Sequence, residues 1–115
     1  MALSKPTSQY TDGGISIPVY DVTTKTVPSG LTAEISVDCR LRHLKVTNPA
    51  GGTTRTLTVQ DGNGNLLFTA VLGGGGNYEV DYARPGLLCP KGIQWQTSGG
   101  TDLVGSITTE GSNPA

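Results

Sequence analysis

Leu57-Thr58-Val59-Gln60-Asp61-Gly62-Asn63-Gly64-Asn65-Leu66-Leu67-Phe68-Thr69-Ala70-Val71-Leu72 reads as a β-hairpin. Leu57 and Val59 alternate with threonine, the period-two signal of a half-buried strand. Asp-Gly and Asn-Gly follow, dipeptides that accept the positive φ a tight hairpin turn demands, and then a run of strand formers.

The same texture extends both ways. Upstream, Arg40 to Thr47 predicts a strand with Leu44 and Val46 facing in, closed by Asn48-Pro49-Ala50-Gly51-Gly52. Ala33, Ile35 and Val37 alternate in another strand after the turn Pro28-Ser29-Gly30. Ile15, Ile17 and Val19 alternate in a further one, where Pro18 argues for an edge because proline cannot donate to a ladder. Downstream, Gly73 to Gly76 form a loop. Tyr78, Val80 and Tyr82 alternate with Glu79 and Asp81, Arg84-Pro85-Gly86 turns the chain, and Pro90-Lys91-Gly92 introduces Ile93, Trp95 and Thr97. Leu103 to Thr108 follows the turn Ser98-Gly99-Gly100. About seven or eight short strands at this spacing predict an all-β fold, a small antiparallel β-sandwich or barrel. Residues 1–12 lack periodicity and read as a flexible N-terminal arm, residues 13–109 as one domain, and residues 110–115 as a frayed tail.

Composition agrees. Sixteen Thr and nine Val stand against six Ala in 115 residues, a balance suited to pleated sheet. Leu, Ile, Val and Phe total only 26, so the core is thin and contact with neighbours is expected to add stability. A net charge of −1 lacks the basic excess of a nucleic-acid binder, and no apolar run is long enough to span a bilayer as a helix. Met1 to Tyr10 lacks the apolar core of a signal peptide, so a cytoplasmic site of synthesis is expected.

No catalytic, cofactor or metal site is assigned. His43, the single histidine, lies beside Leu44 in a predicted strand and is expected to face solvent or an interface. Asp61-x-Asn63-x-Asn65 has the oxygen spacing that opens a calcium loop, but Leu66 and Leu72 stand where that loop needs Gly and Glu, which favours a turn. Gly73 to Gly76 precede a strand, whereas phosphate cradles precede a helix. Cys39 and Cys89 read as buried thiols, with a disulfide as the alternative. Trp95 is either a core anchor or a sugar-stacking platform.

Three stretches resemble small β-sandwich structural proteins of tailed-bacteriophage virions: Leu41 to Pro49 with the Thr-rich strand after it, Asp61 to Asn65 with its apolar strand, and Pro90 to Gly99. The resemblance implies a non-enzymatic virion component, first a capsid decoration (cement) protein that binds the major capsid protein, made in a bacterial cytoplasm. A homo-oligomer is implied, and a trimer suits the local threefold positions of a shell. A head–tail completion or tail protein, or a carbohydrate- or ligand-binding module, are the alternatives. From their non-core character Tyr10, Tyr20, Arg40, Arg42 and Arg84 are expected to contact the partner.

Overall fold

A computed structural model describes residues 2–49, 51–98 and 103–111. Ten strands, more than the seven or eight expected, follow in order: β1 (Ser8–Asp12), β2 (Ile15–Thr26), β3 (Thr32–Ile35), β4 (Cys39–Thr47), β5 (Arg55–Asp61), β6 (Leu66–Leu72), β7 (Asn77–Asp81), β8 (Leu87–Cys89), β9 (Ile93–Thr97) and β10 (Val104–Gly111). They form two antiparallel sheets packed as a sandwich. The larger runs β1-β2-β10-β4-β7, with β8 also paired to β4, and the smaller runs β3-β9-β5-β6.

The hairpin that opens the sequence reading is β5–β6, and Val59 lies opposite Phe68. Leu44 and Val46 are fully buried, as the alternation predicts, and face Ile93, Trp95, Leu57 and Val59 in one core cluster. Trp95 is 0% exposed, so it is the core anchor and not a platform for sugar. Its ring lies over Gly105 of β10, where a Cβ would sit 3.1 Å from the indole and 2.8 Å from Val46. Any side chain there would push the sheets apart.

Three readings are corrected. The described part of the expected arm, residues 2–12, is not unpaired: Ser8–Asp12 pair with Ile15–Val19 of β2, and Leu3 bridges to Ile35 in the smaller sheet. Backbone hydrogen bonds supply the order that apolar periodicity did not announce. The tail is not frayed at its start, because Glu110 and Gly111 continue β10; residues 112–115 lie outside the described residues. In β3, Glu34 turns inward while Ala33 is exposed, because a bulge between Ala33 and Ile35 breaks the alternation.

Pro18 fits its strand for a local reason. β10 pairs with Val19 to Thr26 but not beyond, so Ile15–Pro18 has a strand on one side only, and a missing N–H costs no ladder bond on the other. The turn Pro90-Lys91-Gly92 is built against the hairpin turn: Gly62 N–H donates to the carbonyls of Pro90 and Gly92 at 3.0 and 2.9 Å. Gly92 has φ +110° and a Cβ there would lie 1.8 Å from the Ile35 carbonyl oxygen, so only glycine fits.

Truncating the anchor leaves a cavity between the sheets. Trp95→Ala should lower unfolding free energy by about 3–5 kcal/mol in a denaturant titration. A loss under about 1 kcal/mol would contradict the packing described.

Candidate functional site

The outward face of the larger sheet carries the polar side chains. On β4, β7 and β10 the alternation that sends Leu44, Val46 and Ile107 inward places His43, Lys45, Glu79, Asp81, Ser106 and Thr108 outward. Antiparallel register sets His43 opposite Asp81 and Lys45 opposite Glu79. His43 Nε2 lies 2.6 Å from a Glu79 carboxylate oxygen. Hydrogen bonding to His43 holds the Glu79 carboxyl below its ordinary range; desolvation opposes this, and electrostatic attraction to His43 and Lys45 adds to it. Beside the cluster a groove of about 290 Å³ is lined by Thr24, His43, Lys45, Thr47, Val104, Gly105 and Ser106. Thr24, at φ 45°, donates its N–H to Ser106 Oγ at the bulge where β2 and β10 lose register.

The residues expected to contact a partner are mostly engaged within the chain. Tyr20 is 8% exposed and belongs to the core, which corrects the expectation that it is free on the surface. Arg42 and Arg84 converge on Glu110: Arg84 binds both carboxylate oxygens, at 3.2 and 2.8 Å, and Arg42 binds one at 3.3 Å. The Arg84 guanidinium also lies 3.9 Å from the centroid of Tyr10, so this buried carboxylate gathers β1, β4, β10 and the segment after β7. Arg40 is half-buried, opposite Leu88 and Glu110. Glu79 and Asp81 were visible in the sequence as the polar half of an alternation. That β7 pairs with β4 and brings them to His43 has no local signal.

Two further groups are accounted for structurally. Cys39 and Cys89 face each other across β4 and β8, both buried and both free thiols. Contact with the Cys89 sulfur, then burial, pushes the Cys39 thiol up, so it stays protonated. Asp61 closes its turn: Oδ1 accepts the N–H groups of Asn63 and Asn65 at 2.9 and 3.0 Å, and Oδ2 accepts the Asn65 side-chain amide.

No family model matches the chain, and no curated protein matches it. Among solved structures it is similar to the Schizosaccharomyces pombe Cnp3 cupin domain, at 10% identity and a TM-score of 0.31. The match covers 92% of this chain and 59% of that one, so the chain spans less than two thirds of its neighbour. A likeness this slight carries no argument about function.

The Asp61 turn has a pH signature. Burial raises the carboxyl's pKa, but the hydrogen bonds from Asn65, Asn63 and Gly64 outweigh it and hold the group below its ordinary 3.8. A carboxylate with a depressed folded pKa contributes stability above its unfolded pKa and loses it as pH falls through the folded one. Asp61→Asn should therefore flatten part of the melting-temperature decline below about pH 4, whereas Asp61→Ala should cost about 1–2 kcal/mol at neutral pH. Added calcium should leave the wild-type melt unmoved; a calcium-dependent shift that Asp61→Ala abolishes would show the loop to be a metal site.

Proposed function

We propose that this chain is a non-enzymatic structural module that works by joining protein surfaces. In its finer form it is a virion decoration protein, assembling as a homo-oligomer on a major capsid protein shell. The observation that carries this reading is the free edge of the smaller sheet. β6 pairs with β5 on one side, and no strand among the described residues pairs with its other side. It holds no proline and no charge, and Leu66 and Val71 are 60% and 70% exposed. Folded proteins blunt such edges with lysine, proline or a cover, because unpaired backbone groups beside apolar side chains recruit another strand. An edge left open in this way suits a protein whose partner supplies that strand. Burial of Trp95 supports the same reading, since it removes the aromatic platform that a carbohydrate-binding module would present.

The edge is open to a direct test. Val71→Lys places a charge on exposed β6 and should leave the melting temperature within about 2–3 °C of wild type, since surface changes are usually within 0.5 kcal/mol. Sedimentation velocity of the purified chain, and co-sedimentation with undecorated shells of a tailed-phage major capsid protein, should both show association that the variant loses. Equal association by the variant would remove β6 from the mechanism. A wild-type chain that neither self-associates nor binds shells would overturn the structural reading.

A further inference from the structure

We propose that His43, Glu79 and Asp81 form a binding site for a divalent transition metal, zinc in the first instance, on the outer face of the larger sheet. The sequence assigns no metal, because one histidine and two acids 36 and 38 residues further on show no ligand spacing. The sheet supplies the spacing instead. His43 lies opposite Asp81 in the β4–β7 register, and Glu79 is two residues along β7 on the same face. One ligand atom from each residue falls within 4.8 Å of the other two, and this is the His-carboxylate group of that kind among the described residues.

The donor set fits the ion. An imidazole nitrogen with two carboxylate oxygens is a borderline-to-hard set of the kind zinc accepts. Zinc bonds of roughly 2.0–2.1 Å in a tetrahedral site put ligand atoms about 3.3 Å apart. His43 and Glu79, now at 2.6 Å, would open slightly, and Asp81 would close by a rotamer change. Such movement is available because the His43 and Glu79 side chains are 32% and 48% exposed while their backbones are fixed by the ladder. Three protein ligands leave a fourth position for water or for a donor from another chain.

Charge sets both the attraction and its limit. Two carboxylates face one ammonium, Lys45, which is exposed and stands opposite Glu79. The neighbouring outward residues of β10, Ser106 and Thr108, are neutral. A cation therefore meets a net negative cluster, with Lys45 free to swing toward solvent.

The test is calorimetric titration of tag-free, full-length protein with ZnCl2, together with the absorption spectrum of the Co2+ form. One equivalent should bind saturably, and Co2+ should give the intense visible bands of a four-coordinate site. His43→Ala and Asp81→Asn should each weaken zinc binding more than tenfold, with circular-dichroism melts in chelator unchanged from wild type. Lys45→Met should tighten it severalfold, an effect expected of a cation site and not of a simple His43–Glu79 ion pair. No saturable binding up to 1 mM zinc, or binding unaffected by His43→Ala, would overturn the proposal.

Discussion

A carboxylate buried between two sheets must find its donors inside the protein, and Glu34 sets that constraint here. It is 2% exposed and accepts from the Trp95 indole N–H at 3.0 Å and from Lys25 Nζ at 2.6 Å. Trp95 belongs to the smaller sheet and Lys25 to the larger, so one buried side chain ties the two layers by hydrogen bonds. Removing either donor would leave a charge poorly solvated in the interior, which costs more than the bond itself returns. Much of the local geometry follows. β3 bulges to turn Glu34 inward, Trp95 is held flat across the core, and Gly105 keeps no side chain so that β10 can pass under the ring.

This arrangement also marks where the sequence is legible. Strands whose apolar residues alternate, such as Leu57 to Val59, Leu44 to Val46 and Ile93 to Thr97, announce both their existence and their inward face, because side-chain period and burial coincide. The hairpin at Asp61 to Asn65 is visible because its turn chemistry is local. Glu34 is not, since an acid in a strand reads as solvated until a donor pair from remote strands is known. Nor is β1, whose order comes from backbone pairing with β2 and from Tyr10 lying under Arg84. The His43, Glu79 and Asp81 group hides for the same reason: every residue is visible, while the register that unites them is not.

The glycine-rich turns play a part that composition understates. Gly62 and Gly92 do not simply reverse the chain; they let the β5–β6 and β8–β9 turns touch backbone to backbone, next to the Ile35 carbonyl. Buried Asn48 likewise hydrogen-bonds across to Gly75 and Gly76, so the loop after β6 is pinned to the end of β4. The two surfaces proposed above to bind are an apolar edge of the smaller sheet and a polar face of the larger. The two lie on different layers, so one could be occupied without closing the other.

The larger sheet has β10 between β2 and β4, so the final strand in chain order holds together two parts made much earlier. Until residues 104–111 are in place, β2 and β4 therefore have their facing edges unpaired. Facing edges left unpaired in this way can pair with another chain, which exposes slowly completed sheets to aggregation. The same geometry makes β10 a natural point of division, since a fragment lacking it would keep a strand-wide slot between β2 and β4 that a peptide supplied in trans could fill.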